Sequence, residues 1–314
     1  MIISEKNILV LGASGLLGSA IVRQLKNDLD LQNCRLFTPS SSELDLLDQS
    51  QTLNYFKKNS PDIVFLAAAH VGGIRANNDE PYEFLFKNSQ IGLNAVNAAL
   101  VSNVEVFVNI ASSCIYPKLA HQPIDESSLL ASPPEVTNQW YSVAKIDTLM
   151  AVRAINISFS KRFITIVPPN LYGPGDNFDS DRGHVIPSLI RRFHEAKLKK
   201  ESKVEIWGSG KPIREFMYSD DAASAILFLL KKNYSHSDLI NIGSGEHINI
   251  AHLALKISKS VGYQGKITCD NSKPDGAPKK VLNLEKFSKF KWKPSTSIDE
   301  GLKEVYRLYK HSSS

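Results

Sequence analysis

The chain has 314 residues, 42% hydrophobic and 22% charged, with a formal net charge of +5. That length suits one large domain or two ordinary ones, and the composition is that of a globular protein rather than a disordered or fibrous one. The basic residues are scattered, with "KLKKESK" (197–203) the densest run, which argues against nucleic acid. No stretch of ~20 apolar residues is present, so no membrane span is expected.

Taken in chain order, "NILVLGA" (7–13) is a strand with no basic and apolar leader before it, which argues against a secretory signal. "LLGSAIVRQLKND" (16–28) has helical spacing, "CRLFTP" (34–39) and "DIVFLAA" (62–68) are strands, and "NSQIGLNAVNAALVSN" (88–103) is a helix. The strand "VEVFVNIAS" (104–112) precedes the helix "YSVAKIDTLMAVRAINIS" (141–158), which leads into one strand, "RFITIVPPNLYG" (162–173). This alternation, with almost wholly apolar strands, predicts βαβ units in a parallel sheet covered on both faces. After a polar loop, "YGPGDNFDSDRG" (172–183), come the helix "DDAASAILFLLKK" (220–232), the strand "LINIG" (239–243), the helix "NIAHLALKISKSVG" (249–262) and the Pro-rich "SKPDGAPKK" (272–280). The expected fold is therefore a Rossmann-type doubly wound α/β sheet with a smaller C-terminal α/β domain. The predicted division is 1–171 plus about 216–245 for the dinucleotide domain, and 172–215 plus 246–314 for the substrate domain. Three cysteines, Cys34, Cys114 and Cys269, form no disulfide framework, so a reducing, cytoplasmic setting is expected.

Gly12, Gly15 and Gly18 stand between the first strand and the first helix in the spacing G-x-x-G-x-x-G. Glycines there let the chain turn tightly and bring backbone N–H groups to a pyrophosphate at the helix start. The second strand should end in the group that reads the adenosine ribose, acidic for NAD or basic for NADP. Here "FTPSSSELDLLD" offers neither, and Ser40, Ser41 and Ser42 are the available donors for a 2′-hydroxyl or a 2′-phosphate.

In "YSVAK", Tyr141 and Lys145 fall four apart on one helix face. A phenol has a reference pKa near ~10, and a nearby ammonium lowers it toward the range of useful proton transfer. Tyr141 can then protonate the oxygen of a carbonyl that receives hydride, with Ser112 hydrogen-bonded to the same oxygen. Cys114 follows Ser112 by two, so on an extended strand both side chains would look into one pocket. By itself, a cysteine near a strand end reads as a small buried hydrophobe.

The ordered set Gly12, Gly15, Gly18, Ser112, Tyr141 and Lys145 resembles that of the extended short-chain dehydrogenase/reductases. "LAAAHVGGIRANN", "SSCIYPKLAHQPIDES", "PPNLYGPGDNF", "HVIPSLIRRFHEA", "WGSGKPIREF" and "SKPDGAPKK" narrow the resemblance to the GDP-L-fucose synthases. These are bifunctional GDP-4-keto-6-deoxy-D-mannose 3,5-epimerase/4-reductases.

The resemblance implies that Cys114 is the base and His184 the acid of the epimerisations, while Ser112, Tyr141 and Lys145 carry out the reduction. It implies a cofactor groove built from Gly12, Ser14, Gly15, Leu16, Leu17, Gly18, Ser41, Asp45 and Leu46 on one side. Ile110, Ala111, Ser112, Ser113, Lys145, Pro168, Asn170, Leu171 and His184 form the other side. Arg192, Trp207, Arg214 and Asp275 are the implied substrate contacts, the arginines suiting the phosphates of a GDP-linked 4-keto-6-deoxy sugar. NADP(H) is the favoured cofactor with NAD(H) open, because "TPSSS" stands where the family usually shows arginine. No metal, nucleic acid or membrane partner is expected, and the family resemblance implies a homodimer. A reductase or epimerase/reductase for another GDP-keto sugar, such as a heptose, is the alternative.

Overall fold

The computed structural model describes residues 5–31, 33–179, 183–232, 234, 239–273 and 275–312. Residues 180–182 of the loop and Pro274 of the Pro-rich stretch lie outside them. The first half contains β1 (Asn7–Leu11), α1 (Leu16–Asn27), β2 (Arg35–Phe37), α2 (Gln49–Asn59), β3 (Ile63–Leu66) and α3 (Ile74–Asp79). It continues with α4 (Pro81–Val101), β4 (Val106–Ile110), α5 (Gln139–Phe159) and β5 (Arg162–Val167). Then come β6 (Asn170–Tyr172), α6 (Val185–Leu198), β7 (Lys203–Trp207), β8 (Ile213–Tyr218), α7 (Ser219–Lys231) and β9 (Leu239–Asn241). The chain closes with β10 (His247–Asn249), α8 (Ile250–Val261), β11 (Lys266–Asp270), β12 (Lys279–Lys280), α9 (Glu285–Ser288) and α10 (Ile298–Ser312).

The expected parallel sheet is present, with strand order β2-β1-β3-β4-β5-β9 among the described residues. Its order reverses between β1 and β3, and open α/β sheets bind ligands in the crevice at such a reversal. The stretch 162–173, expected as one strand, is two. Pro168 and Pro169 lack the N–H a ladder needs, so β5 stops before them and β6 leaves for another sheet. The helix expected from residue 88 begins at Pro81, whose missing N–H costs nothing at the first helical position.

β8 joins the two halves. Its first residues pair with β10 and β12, and its last three pair with β6. α1 and α7 cover one face of the main sheet and are clamped together by Arg23, which donates to both Asp220 oxygens at 2.8 and 2.7 Å. α4 and α5 run together near the opposite face, where Gly92 makes their close approach possible: a Cβ there would lie 1.8 Å from Thr148 Oγ1. A separate apolar core gathers Tyr172, Phe193, Ile206, Leu253, Ile257, Leu302 and Tyr306. We propose the two-part division predicted from the sequence, with one change. Phe287, Phe290 and Trp292 pack on the first core, so the segment around α9 belongs to the dinucleotide half.

Candidate active site

A cavity of about 900 Å³ follows the carboxyl ends of β1, β3 and β4 and reaches out to β7. Gly12 begins it with φ +81°, a left-handed conformation, and a Cβ there would lie 2.6 Å from the Ala68 backbone. Gly15 caps α1 without a side-chain hydrogen bond, so the first helix amides are left for a ligand. Ser14, Gly15, Leu16 and Leu17 line the cavity with Gly12. Gly18 does not. A Cβ there would come 2.0 Å from the Gly12 carbonyl, so this glycine seats the helix on the turn. The turn and bare helix end fit a pyrophosphate.

Past β2, Ser41, Asp45 and Leu46 line the wall, and Asn94 steadies it by donating to the Leu46 carbonyl at 2.8 Å. Ser41 is the only one of the three expected serines that faces the cavity. Ser40 donates its N–H and Oγ–H to Glu43 Oε2, both at 2.8 Å, and its Oγ lies 2.9 Å from that of Ser42. These bonds hold the Glu43 carboxyl below the usual carboxylate range, in the turn beyond β2 and outside the cavity lining. On the next loop, Asn88 brackets His70, accepting from its N–H at 2.9 Å and donating to its carbonyl at 3.0 Å. Neither Asn88 nor Asn94 was foreseen; an asparagine inside an apolar helix that opposes a loop is their only sequence trace.

β4 ends at Ile110 and the chain enters a single 3-10 turn at 113–115. Ser112 and Cys114 are therefore not two positions of one extended strand. Instead, Ser112 Oγ caps the turn, accepting from the Cys114 N–H at 3.3 Å. Both still line the cavity with Ile110 and Ala111, whereas Ser113 is buried behind the wall. Ser142 ties the turn to α5 by donating to the Cys114 carbonyl at 2.9 Å. Asn138, also unforeseen, lines the cavity and directs Nδ2 to Cys114 Sγ at 3.8 Å. That amide can donate to a thiolate.

Tyr141 and Lys145 line the same space. Lys145 donates to the Ile110 carbonyl at 3.0 Å, and its Nζ is 5.8 Å from the centre of the Tyr141 ring. The expected lowering of the phenol is overridden. Burial pushes Tyr141 well above its ordinary value, with the neighbouring Cys114 adding to the rise, and pushes Lys145 down to about 8. Tyr141 therefore keeps its proton, whereas Lys145, at about 8, still carries its positive charge at neutral pH. A phenol that keeps its proton until a negative oxygen forms beside it remains suited to act as an acid.

Pro168, Asn170 and Leu171 complete the inner wall, with Asn170 Nδ2 fixed to the Glu215 carbonyl at 3.0 Å. His184 caps α6 from the rim. Arg192 and Lys273 flank the half-exposed Trp207, at 5.6 and 6.0 Å from its ring centre. Arg214 lines the cavity, donates to the Ile213 and Ala277 carbonyls at 2.9 and 2.7 Å, and is lowered by burial. Asp275 is not brought into the cavity wall. Its oxygens accept from the Ser209 N–H and hydroxyl at 2.8 and 2.6 Å, so it fastens the turn after Trp207. His194 is structural, its Nδ1 lying 3.1 Å from the Tyr306 hydroxyl. Among the described residues no group of His, Cys, Asp and Glu suits a metal, and no helix is long and apolar enough to cross a membrane.

The chain is 42% identical over 308 residues to the GDP-L-fucose synthase of Sinorhizobium fredii, covering 98% of this chain and 96% of that one. A GDP-L-fucose synthetase of Naegleria fowleri bound to NADP superposes with a TM-score of 0.89 at 28% identity, over 99% of this chain and 94% of that one. The GDP-mannoheptose C4 reductase of Campylobacter jejuni with NADP bound gives 0.87 at 30% identity, over 99% of each chain. Residues 8–250, from the first strand through the cavity wall, match a single family model, and the chain belongs to the NAD dependent epimerase/dehydratase family.

Proposed function

We propose that this protein makes GDP-L-fucose, inverting C3 and C5 of GDP-4-keto-6-deoxy-D-mannose and then reducing C4 with NADPH. The observation that carries the reading is one cavity lined by Cys114 and His184 together with Ser112, Tyr141 and Lys145.

The C4 ketone acidifies the hydrogens on C3 and C5, and reduction removes that acidity, so inversion must precede reduction in the same site. Cys114 takes the proton from one face, and His184 returns one to the other. Ser112 and Tyr141 hydrogen-bond the C4 oxygen through both stages. When bound, the nicotinamide supplies the hydride. Tyr141 then gives its proton to the C4 oxygen, and the Lys145 ammonium beside its ring stabilises the phenolate left behind. Arg192 and Arg214 hold the diphosphate, and Trp207 borders the base. Asp275 serves this arm indirectly, through the Ser209 turn.

NADPH is supported by the NADP-bound neighbours, and Ser41 with the helix end of α1 would hold that cofactor. The stretch 38–42 holds no basic residue for a 2′-phosphate, which leaves room for NADH. The protein also pairs with a second copy in this reading. Tyr82, Phe86 and Leu93 on α4, and Val143, Met150 and Ile157 on α5, are exposed apolar side chains on adjoining helices. Sedimentation finding only monomers would remove that element. The three free cysteines accord with a cytoplasmic setting.

The test is incubation with GDP-4-keto-6-deoxy-D-mannose in deuterated water with NADPH or NADH. Cofactor consumption with deuterium at C3 and C5 is the expected result. Consumption without deuterium would leave a plain 4-reductase. Turnover only of a GDP-4-keto-heptose would support the second reading, which the heptose reductase neighbour motivates.

A further inference from the structure

His184 is the N-cap residue of α6, yet its side chain makes no capping hydrogen bond, so the ring is not spent on the helix. Its Nδ1 lies 3.7 Å from Oδ1 of Asp176. The two side chains differ sharply in exposure, 53% for His184 and 4% for Asp176. Asp176 belongs to the turn after β6, where its N–H donates to the Gly173 carbonyl at 3.3 Å and its Oδ1 accepts from the Asn177 N–H at 2.8 Å. Its Oδ2 is buried and has no hydrogen-bond partner among the described residues. A carboxylate withdrawn from water with one oxygen unanswered is costly unless a donor stands opposite it. His184 stands at the other oxygen of the same carboxylate, Oδ1, which also accepts from the Asn177 N–H.

We propose that Asp176 is a positioning residue for His184: it keeps a proton on Nδ1, aims the ring, and leaves Nε2 as the atom that delivers a proton to the substrate. A distance of 3.7 Å is within ion-pair reach and longer than a formed hydrogen bond. A carboxylate behind one imidazole nitrogen sets the tautomer and so decides what the other nitrogen can do. The inference rests on the epimerase reading above and adds a residue to it.

The step balances without a redox partner. The Cys114 thiolate takes the proton from carbon, and the C–H electron pair enters the enolate, whose charge rests on the C4 oxygen. On the opposite face the Nε2–H bond breaks, its pair stays on nitrogen, and the enolate pair forms the new C–H bond as the ketone returns. Asp176 holds Nδ1–H throughout, and water resets Cys114 and His184.

The test separates exchange from inversion. With oxidised cofactor in deuterated water, Cys114 alone can wash deuterium into the substrate with retention, whereas inversion needs His184. Asp176→Asn should leave exchange near the wild-type rate and lower inversion about 100-fold, the scale of a lost general acid. Asp176→Glu should recover part of it, and Asp176→Asn should add nothing in a His184→Asn background. Exchange and inversion falling together, or equal losses with and without His184, would overturn the proposal. If wild-type protein exchanges no deuterium with any 4-keto sugar, the epimerase reading fails instead. The ring nitrogens of His184, read by NMR, then still decide the pairing. Loss of the Nδ1–H tautomer in Asp176→Asn supports it, and an unchanged ring overturns it.

Discussion

The two ends of the cavity are held in different ways. Tyr141 and Lys145 stand on the long α5, which is pressed against α4 by Gly92 and pinned to the sheet through the Ile110 carbonyl. His184 and Trp207 stand at element ends beside loops and are half exposed. Hydride transfer needs one geometry to within a fraction of an ångström, which buried helices and strands provide. A substrate arm must open for a nucleotide sugar, and segment ends with few buried contacts allow that. The contrast is between a rigid reducing wall and an adaptable substrate rim.

Tyr141→Phe should break the rigid side most severely. Reduction should fall by about 10²–10⁴ while deuterium still exchanges at C3 and C5, as NMR would report. Loss of exchange as well would mean that the two walls are not separable. Cys114→Ser should do the reverse, abolishing exchange by about 10² or more while reduction of an unepimerised 4-keto sugar persists.

Smaller effects sharpen the comparison through stability. Lys145 has its value lowered from 10.5 to about 8 in the folded chain, so between these values the unfolded state binds more protons. Cofactor-free protein should therefore gain stability as pH rises from about 8 toward 10, by about 2–3 kcal/mol. Lys145→Met should flatten that rise in denaturant titrations. Gly12→Ala puts a Cβ 2.6 Å from the Ala68 backbone at φ +81°, and should cost about 1–3 kcal/mol and weaken dinucleotide binding. Asn138→Ala should have the least effect, slowing exchange a few-fold, about 1 kcal/mol, through the lost bond to Cys114 Sγ.

The rigid wall was the legible one. Its groups are local in sequence: a strand, three glycines and a helix, then a tyrosine and a lysine one turn apart. Long apolar strands in regular alternation with helices also announce the parallel sheet. The rim was legible only through resemblance. β6, β10 and β12 have three residues or fewer, and their pairing through β8 joins segments some 30 to 70 residues apart, which no periodicity encodes. Asp275 shows the same limit. An acidic residue in a matching motif reads as a ligand contact, and only the fold reveals that Ser209 donates to both of its oxygens. Likewise the run 104–112 predicts its strand well, but not the Ser112 cap that turns Cys114 out of it.

That cap has a kinetic consequence. Ser112 and Cys114 share one turn, joined by a hydrogen bond of 3.3 Å, so in the proposed chemistry the group that would grip the ketone and the group that would strip the neighbouring carbons are held together. In the proposed chemistry a sugar with one centre inverted has nowhere to migrate before the next event. Its fate is a race between the following proton transfer and escape into bulk solution. The fraction of half-inverted sugar found outside the enzyme would thus report the rate of escape relative to that of the following proton transfer.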